Sequence, residues 1–137
     1  YERGLEARGV IRRTIRAGRT AQANSDAIRD ALAGAGFRPM EVFNQAYETP
    51  TTDIMWGNHS VGNLGHGVGP SVAFFNPERL TYEVRPTNLL SIELFAYTPV
   101  PEWDGAKVRI PLEDDAVVTE RGVEWLYPPN ERILLIR

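Results

Sequence analysis

Apolar residues recur at helical spacing from the start of the chain. Leu5, Val10, Ile11 and Ile15 lie among arginines between Glu2 and Arg16, which puts them on one stripe of an amphipathic helix with the charged residues toward water. Ala17-Gly18-Arg19-Thr20 interrupts the pattern; Gly18 suits the end of this helix and Thr20 the cap of the next. Ala27, Ile28, Ala31 and Leu32 define a second stripe over Ala21 to Ala35, which Gly34 and Gly36 stop. Beyond Gly36 the period is lost. Phe37 to Tyr47 fits either a strand or an irregular crossing, and Trp56 to Pro70 holds five glycines, which excludes a regular helix. Leu89 to Thr98 and Lys107 to Val118 predict two strong strands joined by the polar turn Pro101-Glu102-Trp103-Asp104-Gly105. After a turn at Arg121-Gly122, Val123 to Tyr127 and Arg132 to Ile136 predict short terminal strands. Helices followed by strands, without repeats or low-complexity segments, give an α+β class.

Composition narrows the function. With 42% hydrophobic and 24% charged residues the 137-residue chain has the balance of a globular protein. A net charge of −3 and a pI near 5.4 argue against a nucleic-acid partner, and the early arginines alternate with acids as on a solvated helix face. No apolar run approaches the roughly 20 residues that span a bilayer, so no membrane partner is expected. The absence of cysteine excludes thiolate metal sites and disulfides and fits a reducing, cytoplasmic setting. A start at Tyr1 reads as a piece of a longer protein.

The candidate chemistry lies on the hairpin. Counting outward from a loop centred on residues 100 to 105 brings Glu93 opposite Glu113 on one face of the sheet. Directly opposed residues have Cβ atoms about 5 Å apart, where like charges destabilise. Ile92, Leu94 and Phe95 beside Glu93 predict a largely buried strand. Two buried carboxylates side by side call for a cation, a shared proton or an intervening arginine. Divalent ions held by oxygen ligands, with histidine added, are one solution and suit Mn, Fe, Co or Zn. The alternative makes Glu113-Asp114-Asp115 a solvated turn and pairs Glu93 with Arg109, and on the carboxylates alone it is the commoner arrangement. The two histidines, His59 and His66, both fall in the glycine-dense segment, seven positions apart and upstream of the hairpin. That placement favours a site.

These motifs, His59-Ser60-Val61-Gly62 with His66 seven residues after the first histidine, then Ser91-Ile92-Glu93, then Val108-Arg109-Ile110-Pro111-Leu112-Glu113-Asp114-Asp115, resemble in order those of the methionine aminopeptidase, Xaa-Pro aminopeptidase and creatinase family. Gly65 to Pro70 and Pro111-Leu112 resemble a bacterial subgroup of it. The resemblance implies the C-terminal part of a pita-bread fold, helices packed on a curved antiparallel sheet, with residues 1–137 forming the C-terminal half of a catalytic domain. It implies His59, Glu93 and Glu113 as metal ligands, Glu113 bridging two divalent ions (Mn, Co, Zn or Fe). Glu93 would also move protons, His66 would stabilise the tetrahedral intermediate, and Arg109 would orient the carboxylates from behind. Gly65-His66-Gly67-Val68-Gly69 also fits the first-histidine motif; that register leaves His59 unexplained and shortens the gap to Glu93, so His59 is preferred as the ligand. The family's remaining ligands are two aspartates on an earlier hairpin. Asp26 and Asp30, on a helix, and Asp53, in a loop, do not fit them, so the site is incomplete in this chain.

The expected activity of the complete protein is hydrolysis of peptide bonds by metal-activated water, of Xaa-Pro type, in a homodimer acting on a peptide or other small molecule. The chain alone is expected to be inactive. A creatinase-like hydrolase, a lyase and a non-catalytic binding module remain alternatives with the same fold.

Overall fold

The computed structural model describes residues 1–42, 45–60 and 69–136. Two helices come first, α1 (Glu2–Thr14) and α2 (Ala21–Gly34), followed by short strands β1 (Arg38–Pro39), β2 (Asp53–Trp56) and β3 (His59–Ser60). A one-turn helix, α3 (Pro77–Leu80), precedes the long hairpin of β4 (Leu89–Pro99) and β5 (Lys107–Thr119), and β6 (Gly122–Trp125) closes the order. The strands form one six-stranded sheet in the order β1-β2-β4-β5-β6, with β3 pairing β4 alongside β2. All pairings are antiparallel except β1 with β2. The α+β architecture is the one expected.

Local chemistry sets the helix ends. Thr20 caps α2, its Oγ1 accepting from the Ala23 amide at 3.1 Å. The first helix stops at Thr14, short of Arg16, because Ile15 is already extended (ψ 134°). Gly18, at φ +78°, makes the left-handed turn within the connection, where its N–H donates to the Val84 carbonyl at 2.8 Å.

The hairpin divides its residues by parity. Leu90, Ile92, Leu94 and Ala96 of β4 and Leu112, Ala116 and Val118 of β5 are buried in the core shared with Ala7, Ile11 and Ile15 of α1 and Ile28 and Leu32 of α2. Alternate residues, Ser91, Glu93, Phe95 and Tyr97, therefore face the other side, where Tyr97 joins Met40 and Met55 in a second small cluster packed by Phe74 and Phe95. Asp114 faces the helices, buried. It is neutralised by an ion pair with Arg8 of α1, whose guanidinium also donates to the Asn130 carbonyl at 3.1 Å and lies 5.4 Å from the Trp125 ring centroid.

Three departures from the sequence pattern have physical causes. Asp53 opens strand β2 and does not lie in a loop; it is fully buried, held by Lys107 Nζ at 2.5 Å and the Tyr47 amide at 2.7 Å. All four residues of β2 are buried, because the strand lies between β1 and β4 and is covered on both faces. Residues 132–136 form no strand: among the described residues no strand pairs with them, and exposure rises from 63% at Ile133 to 99% at Ile136. Apolar character alone does not make a strand without a neighbour's hydrogen bonds.

Candidate metal centre

The register of the hairpin places Glu93 directly across from Glu113. Strand β3 approaches the other edge of β4, with His59 paired to Ser91, so the histidine and both glutamates converge on one face. His59 Nε2 lies 3.4 Å from Glu93 Oε2. One ligand atom from each of His59, Glu93 and Glu113 can be chosen so that all lie within 4.8 Å of one another. His59 and Glu93 are half-buried; Glu113 is exposed. Among the described residues this is the one group of three or more metal-ligating side chains.

The surroundings hold these groups in place. The Gly57 amide donates to the Glu93 carbonyl at 3.1 Å. A Cβ at Gly57 would stand 3.4 Å from both Glu93 Oε2 and the Phe75 ring, an ordinary contact distance, so the backbone of Gly57 runs directly beside the carboxylate. Asn58, fully buried, donates through Nδ2 to the Ser91 carbonyl at 3.1 Å, while its own carbonyl accepts from the Val72 amide at 2.9 Å and the Ser71 hydroxyl at 3.2 Å. Ser91 Oγ donates to Glu113 Oε1 at 2.9 Å.

Arg109 does not reach this cluster. It shares the face of Glu113, yet its guanidinium stacks on the Phe95 ring, 4.0 Å from the centroid, and makes no ion pair with either glutamate among the described residues. Four residues along a strand separate Cα atoms by about 13 Å, and the ring of Phe95 lies nearer. The side-chain hydrogen bond that Glu113 accepts comes from Ser91. The pairing of Glu93 with Arg109 and a solvated 113–115 turn are both absent: the acids lie within β5, and Asp114 is in the core. His66 lies outside the described residues. Asp26 meets Arg29 on α2 at 3.0 Å and Asp53 meets Lys107, so neither joins the cluster.

One imidazole nitrogen and two carboxylates are a donor set for a divalent ion of intermediate hardness. Ligand atoms around an ion held at 2.0–2.2 Å lie roughly 3–4 Å apart, close to the spacing, within 4.8 Å, that these three side chains offer. The residues present fit a metal.

The profile of metallopeptidase family M24 matches residues 1–120. The chain belongs to metallopeptidase family M24. Solved structures agree in fold. The prolidase of Pyrococcus horikoshii OT3 is 24% identical, with a TM-score of 0.58 over 95% of this chain and 31% of that one. The Xaa-Pro dipeptidase of Bacillus anthracis is 26% identical, with a TM-score of 0.55 over 95% and 31%. The X-Pro aminopeptidase of Thermotoga maritima MSB8 is 21% identical, with a TM-score of 0.56 over 92% and 30%. The chain thus spans about three tenths of the length of these M24 relatives and carries the α+β part of their pita-bread fold. No curated protein matches the sequence significantly.

Proposed function

We propose that the complete protein is a metal-dependent peptidase of the M24 family that cleaves Xaa-Pro peptides, and that His59, Glu93 and Glu113 hold its divalent cation. The convergence of one histidine and two opposed glutamates on the sheet face away from the helices carries this reading, within the family shared by residues 1–120. The name of the Bacillus anthracis relative, 26% identical over nearly the whole chain, supports the Xaa-Pro class.

A bound divalent ion supplies Lewis acidity, polarising a peptide carbonyl and lowering the pKa of water. The chain's own groups do the rest. Glu93, in contact with His59, takes a proton from the attacking water and passes it to the departing amine. His66, seven residues after His59, donates a hydrogen bond to the oxyanion of the tetrahedral intermediate. Phe75, 42% exposed and beside Gly57, offers an apolar surface for a substrate side chain. A pair of ions, as in the family pattern, requires two aspartates beyond Asp26, Asp30 and Asp53.

The test is a metal titration and a peptidase assay on the complete protein. Stripped protein should bind a divalent ion and, once loaded, hydrolyse a Gly-Pro dipeptide in preference to Gly-Ala. Metal binding that survives unchanged in both His59→Ala and Glu113→Gln would refute the ligand set. Equal turnover of the two dipeptides would refute the substrate class.

A further inference from the structure

We infer that Ser91 is the positioning residue that aims the Glu113 carboxylate at the cation; the inference rests on the reading of His59, Glu93 and Glu113 as ligands. Ser91 stands where the three strands of the site meet. Its Cα partners are His59 on β3 and Asp115 on β5, and it lies on the same face as Glu93, two residues earlier on β4. It is 1% exposed, its carbonyl is held by Asn58 Nδ2, and its hydroxyl donates to Glu113 Oε1 at 2.9 Å.

The chemistry of that contact suits a metal ligand. Glu113 is exposed, so an untethered side chain would lose rotamer freedom on binding and weaken the site. The hydroxyl has one proton to donate. Spent on Oε1, it restrains the carboxylate and leaves Oε2, and the second lone pair of Oε1, available to a cation. A neutral donor also leaves the full negative charge for the cation, whereas an arginine or lysine in the same place would neutralise it. Arg109, the charged candidate on this face, is instead occupied by Phe95. A purely structural role is poorly motivated, because the ladder from Leu89↔Val117 to Pro99↔Lys107 already fixes the register of the two strands.

The isosteric pair Ser91→Thr and Ser91→Val isolates the hydroxyl, since both side chains are β-branched and suit a strand. Metal-stripped complete protein is titrated with Mn(II) by calorimetry, and the melting temperature of each metal-free variant is recorded. Ser91→Val should weaken Mn(II) binding by about 10–100-fold, the usual cost of removing a group that supports a ligand. Ser91→Thr should bind like the wild type, and the metal-free melting temperatures of the two variants should agree. Should Ser91→Val not fold, Ser91→Ala replaces it in the same comparison. Equal affinities for the Thr variant and the variant lacking the hydroxyl overturn the inference, as does an affinity loss matched by a loss of metal-free stability. Glu113→Gln, run alongside, separates the two levels: if it loses affinity while Ser91→Val does not, the positioning role fails and the ligand reading stands. If Glu113→Gln binds Mn(II) as the wild type does, the ligand reading fails and the role of Ser91 with it.

Discussion

Replacing Glu113 with glutamine should make the metal-free protein more stable and the metal-loaded protein less stable than the wild type. Glu93 and Glu113 are direct cross-strand partners whose ligand atoms come within 4.8 Å. Coulomb's law at that separation gives about 0.9 kcal/mol of repulsion in a water-like dielectric, inside the roughly 0.2–1 kcal/mol typical of cross-strand pairs. The water-like limit is the appropriate one because Glu113 is exposed. Glutamine keeps an amide oxygen to accept from Ser91, so little is lost with the charge. At roughly 2–5 °C per kcal/mol for a domain of this size, the variant should melt about 1–4 °C higher in chelator, and the gain should shrink as salt screens the repulsion. With the cation at 100 times the wild-type Kd, binding stabilises the wild type by about 2.7 kcal/mol. If losing the ligand weakens binding at least by the 10–100-fold that loss of a merely supporting group costs, the same cation adds no more than about 1.4 to 0.4 kcal/mol to the variant. That difference of about 1.3–2.3 kcal/mol exceeds the repulsion relieved, so the order of the two melting temperatures inverts. Thermal unfolding of both proteins in EDTA and in Mn(II), followed by circular dichroism, reads this directly. If the variant melts higher in both buffers, Glu113 does not hold the cation; if the wild type melts higher in both, the two carboxylates do not repel in the metal-free protein.

The remaining predictions concern neighbouring parts of the chain. His59→Ala should lower metal content, with excess metal restoring part of the turnover, while His66→Ala should leave metal content intact and lower kcat by roughly 10²–10³, as expected for one lost oxyanion donor; the reverse pattern in metal analysis and kinetics would exchange their roles. Arg8→Met or Asp114→Leu alone should cost about 3–5 kcal/mol in urea unfolding, because each strands a buried charge, whereas the double variant should be near neutral; additive losses would show that the pair is not coupled. The 137-residue chain by itself should take up divalent metal weakly and show no turnover of a proline-containing peptide, since three ligands leave a second ion with little more than a shared carboxylate; turnover measured on that chain alone would sink the argument.

The parts legible in the sequence are those fixed by local or periodic patterns. Strands of 11 and 13 residues joined by a short polar turn have one register that buries their apolar faces, and that is why the Glu93–Glu113 opposition could be counted from the chain. The two helices were equally legible from their stripes and from Thr20, with ends displaced by a residue or two at Ile15 and Ala35. What escaped depends on distant partners. Strand β2 is four residues long, covered on both faces and therefore without alternation, and its Asp53 reads as polar until Lys107, 54 residues away, neutralises it. Strand β3 is two residues and exists only through its pairing with β4. The approach of His59 to Glu93 was thus visible through motif order and not through periodicity. Ser91 and Arg109 show the limit most plainly: parity puts both on the face of Glu113, but only the stacking of Arg109 on Phe95 decides which of them reaches the carboxylate.

The acidic run Glu113-Asp114-Asp115 shows why a line of charges on a strand cannot be read as one surface. Consecutive residues point to opposite faces, so the run places one carboxylate in the core and its neighbour on the opposite face of the sheet with Glu93 and His59. Asp114 can be buried only because Arg8 reaches it from α1 and is itself satisfied by the Asn130 carbonyl and the face of Trp125. Glu113 has no such cation: its partners among the described residues are a neutral hydroxyl from Ser91 and, across the ladder, another carboxylate. Two adjacent acids therefore carry opposite electrostatic accounts, one closed within the fold and one left open on the side where His59 also points. An open negative pair backed by a neutral tether is the arrangement that gains most from an added divalent ion, so the alternation of a single strand is what separates the acid that belongs to the core from the acid suited to the metal chemistry of the M24 family.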